Sequence, residues 1–150
     1  MRSIVVTTLA TVCATSLVAA CATVEEAVVE KTAETYRASL TGAQVPGGGD
    51  PDGSGQAEIT VADRMDQICW DLNDIRGIGP ITAAHIHRGR PGVNGPPVFT
   101  LTPANEGGWK GCSNRQEWVE DAIERNFPNY YVNVHTPEFP NGAIRGQLTR

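Results

Sequence analysis

The chain holds three histidines, and their spacing is the first feature with chemical content. His85 and His87 sit two residues apart in Ala83-Ala84-His85-Ile86-His87-Arg88-Gly89, and His135 lies in Tyr130-Tyr131-Val132-Asn133-Val134-His135-Thr136. On a β-strand, residues two apart leave the same face, with Cα atoms roughly 6.5–7 Å apart. Two imidazoles at that spacing converge on one ion held about 2.0–2.1 Å from each nitrogen. Alternation then says which face they share. Ile86, Val132 and Val134 are the natural core residues, so His135 falls with His85 and His87 on the non-core side. Ile144 and Leu148 are core by the same logic, which sends Arg145 to that side as well. Two readings follow. One is a three-histidine surface site for copper or zinc, with an open position for water and Arg145 as an anion guide. The other is structural: neutral histidines hydrogen-bond carbonyls, Asn133 or each other and hold loops in place. Both stay open at the level of sequence.

The elements that must position these residues are short strands between turn signals. Tyr36–Thr41 reads as the first. A Gly/Pro-rich loop spans Gly42–Gly55. Within it Asp50-Pro51-Asp52-Gly53 is a turn, because the last position of a calcium loop starting at Asp50 falls on Val61 instead of Glu. Gln56–Ala62 and Gln67–Asn73 alternate, with Ile68, Trp70 and Leu72 inward and Cys69 outward. Ile81–His87, Val98–Thr102, Tyr130–Thr136 and Ala143–Thr149 complete the strands, and Pro140–Gly142 turns between the last two. Pro103–Gly111 reads as irregular. Asn114–Asn126 is the one helix, capped by Ser113 or Asn114, with Trp118, Ala122 and Ile123 on one face. Trp109, Trp118, Tyr130 and Tyr131 fill a core under that helix or form a binding surface. The fold class is all-β: an antiparallel, Greek-key-like β-sandwich or barrel with one short helix.

The first 34 residues have a different character. Met1-Arg2-Ser3 carries one positive charge, and Ile4 to Ala20 is apolar or small throughout. That length suits a signal peptide better than a membrane span. It ends in Leu17-Val18-Ala19-Ala20-Cys21, which resembles the bacterial lipobox. The match implies removal of residues 1–20 and a lipid on Cys21 that anchors the chain to a membrane, and the acidic, Ala/Val-rich stretch that follows makes 21–34 a tether. The folded domain is then 35–150, on the extracytoplasmic side of a bacterial membrane, facing the periplasm or lying at the outer membrane. Losing residues 1–20 removes one of the 12 basic residues and none of the 17 acidic ones, leaving a net charge of −6. A mildly acidic domain without basic clusters argues against nucleic acid as a partner. Of the four cysteines, Cys13 leaves with the signal and Cys21 is acylated. Cys69 and Cys112 remain. In an oxidising compartment they pair by default, closing a loop of about 44 residues and adding roughly 4 kcal/mol at most. Free or metal-binding thiols are the alternative.

Three segments in order, the two histidine motifs and Pro140-Asn141-Gly142-Ala143-Ile144-Arg145-Gly146-Gln147-Leu148, resemble the CHRD domain first described in chordin. Leu40-Thr41-Gly42-Ala43-Gln44-Val45-Pro46 and Gly92-Val93-Asn94-Gly95-Pro96-Pro97-Val98 fit it too, so the likeness runs from about Tyr36 to Leu148. It implies an extracytoplasmic β-sandwich without an agreed biochemical activity. The layout is also similar to the copper-zinc superoxide dismutases, which carry a His-x-His strand pair, a later His, a late Arg near Gly and a loop-pinning disulfide. This chain has no fourth copper histidine, no bridging histidine and no zinc ligand set. No Gly-x-Ser-x-Gly, P-loop or Cys/His nucleophile pair is present. The expected function is a non-catalytic binding or structural module of the cell envelope. The alternative is a copper- or zinc-binding protein, with superoxide dismutation the weaker version.

Overall fold

A computed structural model describes residues 33–62, 65–114 and 117–150. The proposed signal peptide and Cys21 lie outside the described residues, as does the tether up to residue 32. The period-two pattern produces eight strands: β1 (Glu34–Thr41), β2 (Ser54–Ala62), β3 (Gln67–Arg76), β4 (Ala83–Arg88), β5 (Pro97–Leu101), β6 (Trp109–Asn114), β7 (Tyr130–His135) and β8 (Ile144–Gln147). One helix, α1 (Glu117–Asn126), lies between β6 and β7. The strands form a single antiparallel sheet in the order β5-β4-β7-β8-β1-β2-β3-β6. It rolls into a nearly closed barrel. The two edge strands approach each other, and Trp70 Nε1 donates to Thr102 O at 3.0 Å across the gap.

The core is the inward face of this sheet. Tyr36, Ala38 and Leu40 on β1 alternate with exposed or half-exposed neighbours, as do Ala57 and Ile59 on β2, which ends on the buried Val61 and Ala62. Ile68 and Trp70 on β3, Ile86 on β4, Val132 and Val134 on β7 and Ile144 on β8 join them. Each buried Leu or Ile side chain contributes roughly 1.5–3 kcal/mol relative to exposure. The helix adds Val119 and Ile123, one turn apart and fully buried. Phe127, just beyond it, lies against Tyr36 with ring centroids 5.2 Å apart.

Two sequence expectations are corrected here. Part of the stretch read as irregular, and the residues read as the helix start, form β6, paired in register with β3 from Gln67↔Asn114 to Leu72↔Trp109. Asn114 is therefore a strand residue. Nothing local signals this strand; its pairing with β3 across the sequence creates it. The buried face of α1 is also rotated from the one expected. Val119 and Ile123 face the core, and Trp118, one residue and about 100° away, is 61% exposed.

The disulfide expected between Cys69 and Cys112 is formed. These residues face each other directly in the β3–β6 ladder, so the bond ties an edge strand to its neighbour.

Candidate metal centre

Strand register assembles the site. On the outer face of β4, β7 and β8, His85 pairs with Asn133 and Asn133 with Arg145. One step along, His87 pairs with Tyr131 and Tyr131 with Gln147, while Ala83 pairs with His135. The three histidines, separated by 50 residues of sequence, thus meet on one patch. One ligating nitrogen from each lies within 4.8 Å of the other two. Among the described residues no Cys, Asp or Glu joins them at that range.

This face is not open surface. The loop 89–96 folds over it, and side chains from beneath hold the loop down. Arg145 Nη2 donates to Arg90 O and to Val93 O, both at 3.0 Å. Gln147 Nε2 donates to Gly89 O at 2.8 Å, and Gly95 N–H donates to the Tyr131 hydroxyl at 3.0 Å. Arg145 is consequently only 2% exposed, and its guanidinium carbon sits 3.4 Å from the Tyr131 ring centroid. On the anion guide expected of Arg145, the finding is one of position: its Nη2 is spent on loop carbonyls. Its Nη1 is buried without a partner. Gly95 has to be glycine, because a Cβ there would meet Arg88 O at 1.7 Å.

The tautomers follow from these loops. His87 Nδ1 lies 2.8 Å from Gly95 O. A carbonyl only accepts, so Nδ1 carries the proton and Nε2 the lone pair. His135 Nδ1 lies 2.9 Å from Pro140 O, which leaves its Nε2 as a lone pair by the same reasoning. The Pro140 turn is held in place by Asn133, whose Nδ2 donates to Asn141 O at 3.2 Å. His85 Nδ1 faces His135 Nε2 at 3.2 Å. Because His135 Nε2 bears the lone pair, His85 Nδ1–H donates in this contact, and loss of that proton leaves two nitrogens close to the roughly 3.3–3.4 Å that separates ligands around a tetrahedral ion. His87 Nε2 is buried and without any hydrogen-bond partner. The His87 ring stacks on Tyr131, centroids 4.9 Å apart and planes 14° from parallel, which fixes its direction.

Burial holds the His87 and His85 pKa values below the ordinary 6.5. For His85 the neighbouring His135 and His87 add to this; for His87 the hydrogen bond to Gly95 O opposes it, and His135 and Arg145 add to it. Both imidazoles are therefore neutral at pH 7, the form that ligates metals. Alternation in the sequence places the three histidines and Arg145 correctly on one face. It does not reveal the carbonyls of Gly95 and Pro140, because backbone acceptors leave no mark in residue type. Tyr131 and Asn133 carried a signal, since they share the parity of His135.

Comparisons with known proteins fit this architecture. No curated protein and no solved structure matches the chain. The family model described as the CHRD domain matches residues 36–148, a span that runs from the third residue of β1 to just past the end of β8 and contains the whole histidine site. By that match, the chain belongs to the CHRD domain family.

Proposed function

We propose that this protein is an envelope lipoprotein, anchored through a lipid on Cys21, whose CHRD domain binds a copper or zinc ion through His85, His87 and His135. The observation that carries the metal reading is His87 Nε2. It is a buried acceptor with no partner, directed by Gly95 O and Tyr131 within reach of two further imidazole nitrogens. A buried acceptor left unpaired costs about 1–3 kcal/mol, and an ion relieves that cost. The two backbone carbonyls supply the outer hydrogen bonds that metal-bound histidines ordinarily make. The lipid anchor rests on the residues Leu17 to Cys21 and on the apolar run before them.

In this reading the protein's part is binding, not turnover. Its residues fix the tautomers of His87 and His135 through Gly95 O and Pro140 O, and the loop 89–96 covers His87. The test is a thermal melt with added Cu(II). A hundredfold excess over Kd stabilises the domain by about 2.7 kcal/mol, and His85→Ala, His87→Ala and His135→Ala each abolish the shift. Equal stabilisation of wild type and a triple-histidine variant would mean that the ion binds elsewhere and the histidines are structural.

A further inference from the structure

We infer that the site selects a monovalent ion, Cu(I), over divalent zinc, and that Arg145 is the residue that enforces the choice. The inference rests on the metal reading above and adds the charge of the ion to it. Imidazole serves copper and zinc alike, so donor type alone does not discriminate. Charge does. The three ligands are neutral imidazoles, and among the described residues no carboxylate or thiolate joins their cluster. The only fully buried cation of the described residues is Arg145. Its guanidinium carbon is 3.4 Å from the Tyr131 ring centroid, and the His87 ring is 4.9 Å from the same centroid.

Those distances place the guanidinium within about 8 Å of the His87 imidazole. At the effective dielectric of a partly buried site, each added unit of positive charge on the ion then weakens binding by roughly tenfold or more. Removing an ion from water also becomes steeply harder as its charge rises. A divalent ion carries both penalties in full, with no anionic ligand to relieve them. Coordination number works in the same direction. Zinc in a three-histidine site needs a fourth ligand, whereas Cu(I), a soft closed-shell ion, is satisfied by three. The guanidinium cannot escape the conflict by deprotonating or by swinging away, because Nη2 is bound to Arg90 O and Val93 O.

The test compares Cu(I) and Zn(II) on the full chain purified in detergent. Cu(I) is generated anaerobically with ascorbate and buffered by bicinchoninate, and Zn(II) is buffered by a chromophoric chelator. The His85→Asn, His87→Asn, His135→Asn triple variant serves as the blank. The expected result is one Cu(I) per chain above the blank, bound at least a hundredfold more tightly than Zn(II). Arg145→Met should narrow that gap about tenfold, and Arg145→Lys, which keeps the charge, should preserve it. Zn(II) binding as tightly as Cu(I) would overturn the selectivity while leaving the metal site standing. An unchanged gap in a folded Arg145→Met chain would remove Arg145 from the account. Absence of both ions above the blank would overturn the metal reading itself. The wild-type comparison decides the selectivity even where Arg145→Met fails to fold.

Discussion

At the scale of single residues, function turns on which nitrogen of each imidazole carries the proton. Gly95 O and Pro140 O settle that for His87 and His135, and the remaining lone pairs point at one another's neighbourhood. A pH dependence follows for the metal-free domain. The folded-state pKa values of His85 and His87 lie below the ordinary 6.5. Between the folded and unfolded values the unfolded chain binds more protons, so stability rises with pH there. The contribution is complete above about pH 6.5 and is lost as pH falls through the depressed values. Thermal midpoints should therefore drop from pH 7 to pH 5 in wild type, and drop less in the double variant His85→Ala, His87→Ala. Identical pH profiles would show that these two imidazoles titrate normally.

At the scale of elements, two features hold distant segments together. The loop 89–96 owes its position to β7 and β8 beneath it. Arg145→Ala strips the donor from Arg90 O and Val93 O and leaves those carbonyls without it. The expected outcome is a loss of about 1–3 kcal/mol in denaturant unfolding, with metal affinity falling about 10–100-fold as Gly95 O shifts off His87. Unchanged affinity in a folded Arg145→Ala chain would separate the loop from the site. The second feature is the Cys69–Cys112 bond between β3 and the edge strand β6. Replacing either cysteine by Ser should lower stability by roughly 2–4 kcal/mol, and replacing both should cost about the same as one. Costs that add in the double variant would mean that each cysteine contributes by packing and not through their bond.

At the scale of the whole molecule, the expectation concerns attachment. If Cys21 carries the lipid, globomycin should make an unprocessed precursor accumulate, and Cys21→Ser should abolish acylation. Mass spectrometry of membrane-extracted protein checks this directly. Normal cleavage of the Cys21→Ser chain at the same site, with the product still membrane-bound, would remove the lipid from the account. The described core of β1 to β8 is built from residues within 34–148.

The sequence by itself determined the strand faces. Strict alternation around Ile59, Ile86, Val132 and Ile144 gave the core, and the same parity put three histidines and Arg145 on its reverse side. A side-chain period of two admits only that assignment once one face is buried. Pairing of Cys69 with Cys112 was legible from their number and from the compartment implied by the N-terminal segment. Other features came from tertiary structure alone. Trp109-Lys110-Gly111-Cys112-Ser113-Asn114 has no β-branched run and no clean alternation, and it is a strand because β3 offers it a ladder. Trp118 points outward because the buried face of the helix is the one that carries Val119, Glu120 and Ile123. The covering of the site by the loop 89–96, and hence the burial of His87 and Arg145, depends on contacts between segments some 50 residues apart. Those contacts end on backbone carbonyls, which every residue carries alike, so only the folded chain reveals which of them the site uses.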